Sequence, residues 1–267
     1  MKKLLSLFLA LCLVFLCACS SGEKSGQDAE TPSTQGPDAT ATEPEQTTDP
    51  AESTVPAELS AEDIYYAFLS ELCVRLNKIV GDDTYLDGFD TKEGMVGVAE
   101  IASLSKTEML SDIGYTIIDI NKDGVSELLL LQVDELNKEV CNGTRILCAY
   151  TVIDGEKTLV FEGHSRNRYY LLDDGFIYNE GSNGAAYTCF GTYAFESGNS
   201  ELTCTDFYFT DLDADMKPLF LHNKTGEWDA ASSEAFDGSE DAFWAVQSGF
   251  SKRIQAIDLN ALSSYEG

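Results

Sequence analysis

Apolar residues recur at three- and four-residue spacings near the start of the second quarter of the chain. Ile64, Tyr65, Phe68, Leu69, Leu72, Leu76, Ile79 and Val80 fall on one stripe of an amphipathic helix. Ser60 stands at the N-cap position, Glu62 and Asp63 occupy the first turn, and Gly81 marks the stop. A weaker helical stretch covers Lys92 to Leu104, where Gly94 and Gly97 lower the propensity. The pattern then changes to short β-branched, aromatic or Leu-rich runs. These are Tyr115–Ile118, Glu127–Val133, Arg145–Ile153, Thr158–Glu162, Arg168–Leu172, Phe176–Tyr178, Ala185–Phe195 and Leu202–Phe209. Asp123-Gly124, Asp154-Gly155, Asp174-Gly175 and Asn183-Gly184 separate them, and glycine in these pairs tolerates the positive φ of hairpin turns. Runs spaced by about ten residues predict an antiparallel meander. A final helix is expected from Ser239 to Phe250, burying Phe243, Trp244 and Val246. The fold class is therefore α+β: a curled antiparallel β-meander of seven to nine strands, with an N-terminal amphipathic helix and a C-terminal helix, over residues 58–267.

The chain ahead of this domain has no such pattern. Lys2 and Lys3 precede an apolar run of thirteen residues, Leu4 to Leu16, too short to span a hydrocarbon core of roughly 30 Å. The run ends in Leu16-Cys17-Ala18-Cys19, which resembles the lipobox of bacterial lipoproteins. That resemblance implies cleavage after Ala18, diacylation of Cys19 and anchoring to the cell membrane on its extracytoplasmic face, residues 1–18 being the signal peptide. Ordinary secretory cleavage after Ala18 is the alternative, but it has no use for a cysteine at the next position. Residues 19–57 read as the lipidated cysteine and a tether. Five of the six prolines and eight carboxylates fall in 20–57, Val55 is its one large aliphatic residue, and such a segment cannot bury enough apolar area to offset the entropy of ordering it.

Charge narrows the partners. The 267 residues carry 46 Asp and Glu against 17 Lys and Arg, a net charge of −29. Loss of residues 1–18 removes Lys2 and Lys3 and takes this to −31. Phosphate backbones repel such a surface, so nucleic acid is excluded as a non-specific partner, and membrane contact has to come through lipid. Cations and cationic partners are favoured.

The sharpest candidate site is Asp119-Ile120-Asn121-Lys122-Asp123-Gly124-Val125-Ser126-Glu127. Side-chain oxygens stand at positions 1, 3, 5 and 9, glycine at 6 permits a sharp bend, and the Val125 carbonyl is placed to add a ligand at 7. Asp119, Asn121, Asp123, Val125 and Glu127 thus offer the hard oxygens that Ca²⁺ prefers. An EF-hand would carry Glu at position 12, where this chain has Leu130. The loop instead resembles the strand-loop-strand calcium loops of FG-GAP and integrin-type repeats. A hairpin turn without an ion is the other reading. Asp211-Leu212-Asp213-Ala214-Asp215 has the alternating acids but Met216 in place of the glycine, and reads as a solvated turn. His164, Arg166 and Arg168 alternate on the approach to Tyr169 and could receive an anion, unless they pair locally with carboxylates.

The stretches Tyr115–Leu131 and Asn167–Tyr187, with the lipobox and acidic tether, resemble uncharacterised lipoproteins of Gram-positive bacteria. The resemblance implies an envelope location and supplies no reaction. H-E-x-x-H, G-x-S-x-G, P-loop and Rossmann patterns are all lacking from the sequence. After Cys19, the cysteines are Cys73, Cys141, Cys148, Cys189 and Cys204, with one disulfide conceivable between Cys141 and Cys148. The function expected is a non-catalytic module that binds a cell-wall component, a protein or a small ligand, steadied by calcium. The alternative is an extracellular hydrolase acting on glycans or peptides.

Overall fold

Ser60 and Asp63 start the first helix by exchanging hydrogen bonds. The Ser60 hydroxyl accepts from the Asp63 amide (3.2 Å), while the Asp63 carboxylate accepts from the Ser60 amide (3.2 Å) and hydroxyl (2.7 Å). Helix α1 then spans Ala61–Gly81. Its expected stripe is buried: Tyr65, Leu69, Leu72, Leu76 and Ile79 are at most 2% exposed. The computed structural model describes residues 59–81, 92, 94–105, 107–137 and 140–265, all within one compact unit. The segments expected to be a signal peptide (1–18) and a lipidated tether (19–57) lie outside the described residues.

Helix α2 (Val96–Ser105) opens four residues later than the pattern suggested, and a single turn, α3 (Met109–Asp112), leads into the sheet. Gly97 is where α2 meets the sheet backbone. A Cβ there would lie 2.3 Å from the Gly163 carbonyl oxygen, so the residue that weakens the helix is what lets it dock.

The strands are β1 (Ile113–Ile118), β2 (Glu127–Gln132), β3 (Asn142–Gly143), β4 (Ile146–Ile153), β5 (Glu156–Glu162), β6 (Asn167–Leu171) and β7 (Ile177–Ser182). After them come β8 (Thr188–Phe195), β9 (Leu202–Leu212), β10 (Pro218–Asn223), β11 (Glu234–Ala235), helix α4 (Glu240–Ser251), β12 (Ile257–Asp258) and β13 (Asn260–Ala261). Eleven form one open sheet in the order β11-β10-β9-β8-β7-β6-β4-β2-β1-β13, with β5 also paired to β4; β12 and β3 pair separately. All the pairings are antiparallel. From β6 to β11 the sheet is a plain meander. The eight expected strands are all present, and β10, β11 and β13 bring the sheet to eleven. Two of these added strands have only two residues, too few for any periodicity.

Strand register sorts the core into two faces. Leu128 pairs with Tyr150 and Leu130 with Cys148, and these pack under α1 and α2. Leu129 and Leu131, paired with Ala149 and Ile146, point the other way and meet Phe161, Leu171, Ile177, Ile257 and Leu259. Helix α4 is capped by Ser239, whose hydroxyl accepts from the Ala242 amide (3.2 Å). It lays Phe243 onto Phe190 with centroids 5.1 Å apart, beside Tyr178 and Tyr208. Followed through the register, α4 covers the same face as α1 and α2, at the opposite end of the sheet.

The five cysteines of the domain are free thiols. Cys148 faces the α1 side and Cys141 packs into the opposite cluster, so the sheet itself separates the two. Their proximity in sequence does not make a disulfide.

Two glycines give opposite expectations. Gly97→Ala should lower unfolding free energy by about 1–3 kcal/mol, because the methyl has to displace backbone. Gly249→Ala, in α4 with open space around its Cβ position, should raise it by about 0.4–1 kcal/mol. Urea titration of both variants checks the signs.

Candidate functional site

The 119–127 loop joins β1 to β2, two strands in register from Ile113–Gln132 to Ile118–Glu127. Its bends are taken by Lys122 (φ 61°) and Gly124 (φ 89°), both left-handed. With that geometry the odd-numbered side chains turn inward. Asp119 accepts from the amides of Asp123 (3.1 Å) and Gly124 (3.0 Å). Asn121 accepts from the Asp123 amide and donates to the Asp123 carboxylate, both at 3.1 Å. Asp123 accepts from the Val125 amide (2.8 Å) and, across the fold, from the Gly198 amide (3.4 Å) in the β8–β9 turn. Asp119, Asn121 and Asp123 are therefore brought together through bonds to one another and to the loop's own backbone, while Val125 takes part through its amide, which donates to Asp123.

Glu127 is placed differently. It begins β2 with no exposure to solvent, its carboxylate accepting from the Ile120 amide (2.9 Å) and the Thr151 hydroxyl (3.4 Å). Tyr65 of α1 reaches the same spot, donating to the carbonyls of Ser126 (2.9 Å) and Tyr150 (3.2 Å). Burial, with Asp123 and Asp119 adding their charges, pushes the Glu127 carboxyl up to about 7, against the pull of the Ile120 amide. Asp123 moves the other way. Burial raises its pKa, but hydrogen bonds from Val125, Ser197, Asn121 and Gly198 outweigh that and hold it below the ordinary carboxylate range. Among the described residues no three His, Cys, Asp or Glu side chains are set to hold a metal ion. The converging oxygens come from two carboxylates and an amide. No ion pair among the described residues sets a Lys or Arg against Asp119, Asp123 or Glu127.

The basic trio is dispersed. His164 and Arg166 sit in the tight turn before β6, where the His164 ring nitrogen accepts from the Arg166 amide (3.3 Å). Arg168, on β6, pairs with Glu180 at 2.8 Å. Asp211 ends within β9, and Asp213 closes the β9–β10 hairpin by accepting from the amides of Asp215 and Lys217 (both 2.8 Å), with Met216 at φ 62°. This is the solvated turn expected. His222 lies on β10 against Asp206 (3.0 Å) and beside the Tyr208 ring (centroids 4.5 Å apart). Its partners sit on β9, and only the unforeseen β10 brings it to them.

A groove of about 540 Å³ opens beside the loop. Residues 118–122 line it from one strand pair and residues 171–176 from the β6–β7 turn, with Phe195 and Gln255 completing it. Asp173 and Asp174, at its rim, are both ion-paired with Arg253. Glu127 does not line it. Compared with protein-family models, curated proteins and solved structures, the chain matches none of them.

The Glu127 carboxyl gives a pH dependence. Its folded value of about 7 lies above the ordinary 4.5, so its contribution to stability is fully present below pH 4.5 and is lost as pH rises through 7. The gap corresponds to about 3 kcal/mol. In EDTA, Glu127→Gln should flatten the fall in stability between pH 4.5 and 7.5 by about that amount, read from urea melts at each pH. An unchanged slope would assign the loss to other groups.

Proposed function

We propose that the protein is a lipid-anchored extracytoplasmic lipoprotein whose domain is a non-catalytic binding module steadied by calcium in the 119–127 loop. The observation that carries the calcium assignment is the convergence of Asp119, Asn121 and Asp123 oxygens at the mouth of a sheet hairpin, with no cationic side chain paired to them. An all-oxygen donor set of this kind suits Ca²⁺ and gives nothing to softer metals. The loop is already bent, so binding an ion does not require the chain to be ordered first. Calcium, when bound, supplies counter-charge; Asp119, Asn121, Asp123 and the Val125 carbonyl would hold it, with Glu127 behind them.

The address is argued from the sequence. Cys19 follows a lipobox-like Leu16-Cys17-Ala18, and each buried acyl CH₂ contributes about 0.8 kcal/mol, so two chains hold the protein at the membrane. The Pro-rich acidic segment up to residue 57 serves as a stalk that lifts the domain from the bilayer. A binding role is favoured over hydrolysis by the furnishing of the groove. Its Asp173 and Asp174 are ion-paired, and the carboxyl with a raised pKa, Glu127, is outside it.

Two experiments test the reading. At calcium ten times a Kd of about 10⁻⁴–10⁻³ M, mass action gives about 1.4 kcal/mol and a rise in Tm of roughly 2–4 °C. Asp123→Ala should abolish the rise and Asp213→Ala should keep it. Sodium at equal ionic strength is the control, because screening of so acidic a chain is also stabilising. If sodium reproduces the rise, the loop is only a turn. Separately, the protein should partition into the detergent phase, and Cys19→Ala should move it to the aqueous phase; unchanged partitioning would refute the anchor.

A further inference from the structure

We infer that the groove beside the 119–127 loop receives a cationic side chain, the ligand class being a peptide that carries Lys or Arg. This names the ligand of the binding module and rests on that reading, though not on calcium, which would compete for the same Asp119 carboxylate.

The groove has about 540 Å³, room for a long side chain with its flanking backbone. Its surface has two parts. Phe176 and Phe195 supply an apolar, aromatic wall, Phe195 being 8% exposed. Asp119, Asp173 and Asp174 supply a carboxylate rim, against which Lys122 is the one lining residue with a positive charge. Arg253 accounts for Asp173 and Asp174. Among the described residues Asp119 has only backbone amide partners, and no cationic side chain is ion-paired with it.

An anionic ligand would meet this field and the −29 charge of the chain as repulsion. A wholly apolar ligand would strip water from the Asp119 carboxylate without compensation. A Lys or Arg side chain satisfies both parts, its methylene stem against the phenyl rings and its charged head at the rim. The same domain already uses such a contact internally. The Lys157 ammonium lies 4.3 Å from the Phe68 ring centroid and 4.0 Å from that of Tyr150.

The test is calorimetric titration of the full-length protein in detergent and EDTA with N-acetyl-Leu-Lys-Leu amide, and with the same peptide acetylated on the lysine nitrogen. The lysine peptide should bind, and its acetylated form should bind at least tenfold more weakly. Phe176→Ala should weaken binding about tenfold. Lys122→Ala, an exposed change, should tighten it two- to threefold, an effect that loss of folding cannot imitate. Equal binding of the two peptides, no binding at millimolar peptide, or an affinity indifferent to Lys122→Ala would each overturn the proposal. The calcium-dependent melting shift and detergent partitioning are read without peptide, so failure here is distinguishable from failure of the module reading.

Discussion

Strand β2 has to be covered on both faces. Leu128, Leu129, Leu130 and Leu131 are consecutive and none of them is exposed, so alternate residues demand an apolar layer above and below the same strand. Above it lie α1 and α2, held at the sheet by the Gly97–Gly163 approach and by Glu100, which accepts from the Ser165 amide (2.7 Å) and pairs with Arg145 (3.3 Å). Below it lie Phe161 and the chain's last turns, Ile257 and Leu259. The first helix and the last strands are thus tied to one four-residue segment. The candidate loop inherits its rigidity from that strand, because Glu127 is its first residue.

That arrangement explains what could be read in advance. The α1 stripe, the Ser60 and Ser239 caps and the Asp-Gly turns were legible, since each is a local rule with period or chemistry visible in a few residues. The Leu-rich run Glu127–Val133 was legible as a strand because turn signals bound it. The covering of its second face was not legible, because part of it, Ile257 of β12 and Leu259 just after, is recruited from over 120 residues away. The Asp206–His222 contact was hidden because β10, the strand that carries His222, was not among the expected ones. In the loop, the inward turn of Asp119, Asn121 and Asp123 followed from spacing. Glu127 was read as a fourth inward oxygen, yet its carboxylate answers to Ile120 and Thr151, a consequence of how deeply β2 enters the core.

Within the loop, the same oxygens are available to two kinds of partner. Backbone amides hold Asp119 and Asp123 in the described state, and a cation would compete for those lone pairs rather than find them idle. Asp123 also touches the β8–β9 turn through Gly198, so whatever claims its carboxylate alters a contact between distant parts of the sheet.

The free thiols have a chemical consequence. Burial raises Cys148 to about 12, and Cys189 and Cys204 to about 11. With pKa values near 11, only about one molecule in ten thousand carries the thiolate at pH 7, and the thiolate is the form that attacks disulfides and captures soft metals. In the folded domain these positions are slow to react with oxidants or in mixed-disulfide exchange. That protection comes from packing, so it begins only once the chain has folded and buried them.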